Sequence, residues 1–159
     1  MAPMNKAHLH DLIIAKLETD LHNAQVALQT AHEAATHEEN VAENKYDTLG
    51  LEAGYLAHGQ ARRVVEIEQA LAAYRNLQLR EFDSAKGIQL SALVLLESDS
   101  GQQRQLFLGP DGAGLKVQLE GVEIMTITPR SPMGQSLLGK APGDVVVVNG
   151  QESEVIDAY

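Results

Sequence analysis

The sequence predicts an α+β protein: an N-terminal antiparallel α-helical coiled-coil hairpin, then a small antiparallel β-sheet domain with one short helix. Three observations predict it. No proline falls between Pro3 and Pro110, which favours long helices. Within that stretch apolar residues recur twice at alternating spacings of three and four. Beyond Arg80 the period drops to two, and clusters of Gly, Pro and Asp separate the apolar runs.

The first stripe is Ile14, Leu17, Leu21, Ala24, Leu28, Ala31 and Ala35. A second runs Ala53, Ala57, Gln60, Val64, Ile67, Leu71 and Tyr74, with Gln60 as a polar intruder. Two seams imply two paired helices. If Ile14 packs near Leu77, the chain reverses at Asn44 and Lys45, and each arm of roughly thirty residues extends about 45 Å. Toward that tip the seam narrows to Ala31, Ala35, Ala53 and Ala57, while Gly50, Gly54 and Gly59 interrupt the second arm. A thin distal end follows.

The strands come next. Ile88 to Leu96 reads as a strand, Glu97 to Gln103 as a turn, and Arg104 to Leu108 as a strand closed by Gly109-Pro110-Asp111-Gly112. Leu115, Val117 and Leu119 alternate as a half-buried strand does, and Glu123 to Thr128, Val145 to Val148 and Glu154 to Ala158 add three more. Between them, Ser131 caps exposed amides, Pro132 suits the first helical position and Gly139 ends the turn. The domains are therefore 1–80, with the tip at 40–47, and 84–159.

Composition excludes several functions. The 159 residues include no Cys and no Trp, which removes disulfide frameworks, Cys-ligated metal and thiol nucleophiles. The formal net charge of −10 disfavours direct binding to nucleic-acid phosphates and favours a partner with a basic surface. The apolar run Ala92 to Leu96 is far too short to span a bilayer, and Met1 to His10 lacks a signal-peptide core. A cytoplasmic protein without membrane contact is expected.

Several residues invite chemistry. Glu38, Glu39, Glu43 and Asp47 form an acidic cluster near the reversal, and Arg62 and Arg63 stand on the second arm with Glu66 at pairing distance in sequence. His8, His10 and Asp11 cluster without the spacing that puts ligands on one helix face. Ser131 has no nucleophile elbow around it. The turn from Gly109 to Gly114 lacks the Lys-Ser/Thr of a phosphate loop.

The segment Ile127-Thr128-Pro129-Arg130-Ser131-Pro132-Met133-Gly134-Gln135-Ser136-Leu137-Leu138-Gly139-Lys140, followed by Pro142-Gly143-Asp144-Val145-Val146-Val147, resembles the C-terminal signature of the GreA/GreB bacterial transcription elongation factors. That family joins an N-terminal antiparallel coiled coil to an FKBP-like domain. The resemblance implies a partner, bacterial RNA polymerase, on which the globular domain docks through Pro129, Arg130, Ser131, Pro132 and Met133. It implies that the coiled coil enters the secondary channel, where acidic tip residues help hold a Mg²⁺ of the polymerase during cleavage of backtracked transcripts. The protein is then no enzyme and carries no cofactor of its own.

At the tip, Glu43-Asn44 matches the family's Glu-Asn pair and Tyr46 falls near its Tyr, but Asn40 stands where the family has Asp. The implied metal ligands are Glu43, Asp47 and Glu39; Arg62 and Arg63 are the residues near nascent RNA. Specific DNA binding is not implied. An FKBP-like fold raises prolyl isomerase activity, yet the domain offers only Phe107 and Tyr159, with Phe82 at its border, to build an aromatic pocket. Two alternatives remain open: a channel binder or inhibitor without cleavage activity, and a coiled-coil adapter unrelated to transcription.

Overall fold

The computed structural model describes residues 5–41 and 49–159, with side chains for 5–36, 51–52 and 54–159. Helix α1 covers Lys6–Val41 and α2 covers Leu49–Arg75. Asn5 begins α1: its Oδ1 accepts from the His8 amide at 3.1 Å, occupying a donor that the first turn leaves unpaired. Among the described residues no helix is long and apolar enough to cross a membrane.

The chain forms two compact units, Ala15–Leu71 and a second made of Ala72–Tyr159 with the chain up to Ile14. In the first, Leu17, Ala24, Ala31 and Ala35 of α1 and Ala57, Val64, Ile67, Ala70 and Leu71 of α2 are buried. Leu28 and Ala35 from one helix and Ala57 and Ala61 from the other line one shared cleft, so the two arms lie side by side. The predicted seam holds from Leu17 to Ala35. At its start the buried residue is Ile13, fully enclosed, whereas Ile14 is half-buried.

The second unit is built on a six-stranded sheet: β1 Leu93–Ser98, β2 Gln103–Leu108, β3 Lys116–Leu119, β4 Val122–Ile127, β5 Val145–Val148 and β6 Gln151–Ala158. The spatial order is β3-β4-β2-β1-β6-β5. Four pairings are antiparallel as expected, while β2 and β4 run parallel, Gln105 opposite Ile124 and Leu108 opposite Ile127. The parallel pair arises because β3 takes the outer edge and the two-residue turn at Glu120-Gly121, both at positive φ, folds β4 back between β3 and β2.

Strand alternation divides the core in two. Val94, Leu96, Leu106, Leu108, Ile127, Val146 and Val155 form one cluster with Ile88 and Leu137; helix α3, Pro132–Leu137, closes over it. Phe107 points to the opposite face, where the Tyr74 ring stacks on it at 6.5 Å between centroids.

Candidate docking site

The sequence motif Ser131-Pro132-Met133-Gly134 folds into a locked helix start. Ser131 is extended at φ −75° and ψ 155°, and its Oγ accepts from the Gly134 amide at 3.0 Å while donating to the Thr128 carbonyl at 2.8 Å. Pro132 occupies the first turn, where its missing N–H costs nothing. Gly134 is fixed by space: a β-carbon there would sit 1.9 Å from the Thr128 carbonyl oxygen. Leu137, fully buried, anchors the far end, and burial of such a side chain stabilises by about 1.5–3 kcal/mol. Past the helix, the Gly139 amide donates to the Ile88 carbonyl at 2.9 Å and the Ile88 amide to the Lys140 carbonyl at 2.8 Å.

Beside this helix lies a groove of about 310 Å³ lined by Met125, Met133, Leu106, Pro132 and Val148, with Arg104 at its edge. Met125 and Met133 are half-buried, and thioethers on flexible stems adapt to varied apolar partners. Ser131, Pro132 and Met133 thus meet at one surface. Pro129 is half-buried just before them and Arg130 is exposed. Arg104, Met125 and Val148 come from separate strands, so no spacing in the sequence joins them; the signal that could have placed Val148 here is Asn149-Gly150, a hairpin turn at positive φ between β5 and β6.

In the other unit, Arg62 Nε lies 3.8 Å from Glu66 Oε1 with both side chains mostly exposed. A pair this open contributes little to stability. Arg63 is exposed on the same helix. Residues Glu43, Asn44, Tyr46 and Asp47, and the side chains of Glu38, Glu39 and Asn40, lie outside the described residues. Among those described, no group of three or more His, Asp or Glu side chains could hold a metal ion. His10 instead meets the Tyr74 carbonyl oxygen through Nε2 at 2.5 Å.

The chain is similar to Gfh1. One structure of the transcription factor Gfh1 shares 24% identity, covers 92% of both chains and gives a TM-score of 0.39. GreA factor homolog 1 (Gfh1) of Thermus thermophilus shares 22% identity over 92% of this chain and 94% of its own, with a TM-score of 0.37. Gfh1 of Thermus aquaticus shares 23% identity over 91% and 92%, also at 0.37. No family model matches the chain, and no curated protein matches it significantly.

Proposed function

We propose that this protein is a cytoplasmic accessory factor of bacterial RNA polymerase, docking through the α3 surface and presenting its helical pair to the secondary channel. The observation that carries the reading is the segment from Ile127 to Val147. Its residues resemble the GreA/GreB signature, and they build a capped helix beside a groove that mixes Met125 and Met133 with polar residues such as Arg104, Asn149 and Gln151. The groove's mixed apolar and polar lining suits a protein surface, and the chain's net charge of −10 suits a basic partner.

On this reading the tip residues Glu43, Asp47 and Glu39 supply oxygen ligands to a Mg²⁺ belonging to the polymerase, a hard cation that favours carboxylates. Bound there, that ion would lower the pKa of its water for phosphodiester hydrolysis. The chain's own work is to carry carboxylates to the site and hold them, with Arg62 and Arg63 facing nascent RNA inside the complex. Asn40 in place of the family's Asp favours a second reading, a channel occupant that docks without stimulating cleavage.

Co-purification of the full chain with core bacterial RNA polymerase tests the docking. Stoichiometric capture is expected, and Arg104→Glu or Met133→Lys should weaken it at least tenfold while thermal melting still shows a cooperative fold. Failure of the wild type to be captured would overturn the reading; unchanged capture of both folded variants would move the docking surface elsewhere.

A further inference from the structure

We propose that the cleft between the start of α1, the connection after α2 and the end of β6 binds a phosphate ester carrying a flat aromatic ring, a nucleotide in size and chemistry. Two adjoining cavities of about 230 and 660 Å³ share Arg80, Glu81, Phe82 and Tyr159. Lys6 lines the larger one and Lys86 the smaller. Three cations therefore line these adjoining cavities, beside the carboxylates of Glu81 and Asp83, in a chain whose net charge is −10. Neither the Arg80 guanidinium nor the Lys86 ammonium has an ion-pair partner among the described residues.

Lys6 is the most constrained of the three. Its Nζ donates to the main-chain oxygen of Arg80 and to that of Tyr159 at 3.1 Å, leaving one N–H uncommitted. Burial holds its pKa below the ordinary lysine value, with the Glu81 charge opposing that shift. A desolvated ammonium in a cleft, incompletely compensated, gains from an arriving anion. Asp83, the second carboxylate at the cleft, already accepts from the Ala85 amide at 2.9 Å.

The ring half of the ligand follows from the walls. The chain has four Tyr and two Phe; one of each, Tyr159 and Phe82, lines both cavities, with Leu90 in the smaller. Aromatic side chains offer flat, polarised faces to a flat ring. A bare phosphate would leave these walls in water, and an uncharged aromatic would leave the Arg80 and Lys86 charges without an ion-pair partner.

Calorimetric titration of the free, full chain with ATP, GTP, adenosine and inorganic pyrophosphate decides the matter, apart from any polymerase. Saturable binding of ATP or GTP is expected, about tenfold or more tighter than adenosine or pyrophosphate. Lys86→Ala should weaken it at least fivefold. Lys86 is exposed and its ammonium makes no bond in the structure, so that variant keeps the fold; Phe82→Ala and Lys6→Gln should weaken binding likewise, with circular dichroism confirming folding. Absence of saturation with both nucleotides, pyrophosphate binding as tightly as ATP, or unchanged affinity in Lys86→Ala would each overturn the proposal.

Discussion

The Tyr74 hydroxyl lies 2.0 Å from the point where a β-carbon on residue 109 would stand. Gly109 is thus the only residue that lets the end of α2 seat on the sheet, where Tyr74 is fully buried and stacked on Phe107. The hydroxyl has no hydrogen-bond partner among the described residues. The Thr126 side chain lies near enough to ease the burial of the phenol, yet commits its own hydroxyl proton to the Gly112 carbonyl at 2.6 Å.

Gly109→Ala should therefore destabilise the protein by about 1–3 kcal/mol through overpacking. Tyr74→Phe should cost little, because it deletes a buried group that is unpaired. In the double variant the closest clash is gone but the ring Cζ still lies 2.8 Å from the added β-carbon, so denaturant unfolding should show a partial, non-additive recovery. Additive losses would mean that the two residues do not meet.

Alkaline conditions probe the same tyrosine. Burial pushes the Tyr74 phenol far above its usual pKa of 10.0, the Thr126 side chain opposes the shift and the Asp111 charge adds to it. The unfolded chain then releases this proton near pH 10 while the folded chain keeps it. Stability attributable to Tyr74 is full below pH 10 and falls above it, by about 1.4 kcal/mol per pH unit. Lys6, whose folded pKa is lowered, acts oppositely between that pKa and 10.5. Unfolding curves at pH 9.5 and 11 should show a flatter pH slope in Tyr74→Phe than in wild type.

At the candidate docking site, Ser131→Ala removes a cap and should cost about 1 kcal/mol. Gly134→Ala meets a backbone oxygen that cannot step aside and should cost more, measured by thermal unfolding of both variants. The reverse order would disprove the assignment of close contact. On the second helix, nothing lies within 4 Å of a β-carbon added at Gly54 or Gly59. There Gly→Ala should stabilise by up to about 1 kcal/mol each, seen as increased helicity and a raised midpoint.

Local chemistry explains what could be read from sequence. Ser131, Pro132 and Gly139 announce their helix because caps act within one turn, and Leu17, Ala24 and Ala31 are found by spacing alone. Ile13 displaced Ile14 because α1 is buried differently at its start, where it belongs with the sheet unit. The first strand begins at Leu93, not Ile88, since Ile88 pairs with Gly139 and Lys140 instead and Ser91 turns at φ 75°, a conformation Ser rarely adopts. The parallel β2/β4 pair and the Tyr74–Gly109 contact join residues distant in sequence, and no spacing rule reaches them. The acidic cluster near the reversal is legible in the sequence and its metal role only through resemblance; Glu43, Asp47 and the side chains of Glu38 and Glu39 lie outside the described residues.

That tip frames the last prediction. A carboxylate is a strong ligand for Mg²⁺, whereas the neutral amide of Asn40 offers a carbonyl oxygen without charge. If Glu43 completes the shell of the polymerase ion, as its match to the family's Glu-Asn pair implies, Glu43→Gln should abolish stimulated cleavage of a backtracked complex while polymerase affinity stays nearly unchanged. The proposed docking surface is assembled from α3 and the sheet, in a different unit from the distal arms, so on this proposal binding and cleavage should separate cleanly. A transcript-cleavage assay with wild type, Glu43→Gln and Asn40→Asp then distinguishes the two readings. Cleavage by wild type, lost in Glu43→Gln, identifies a cleavage factor that manages without the leading Asp, with Asp47 and Glu39 as its remaining carboxylates. Cleavage gained only in Asn40→Asp identifies a channel occupant that a single carboxylate restores to chemistry. No cleavage by any of the three, with polymerase bound throughout, would remove the metal role from this tip.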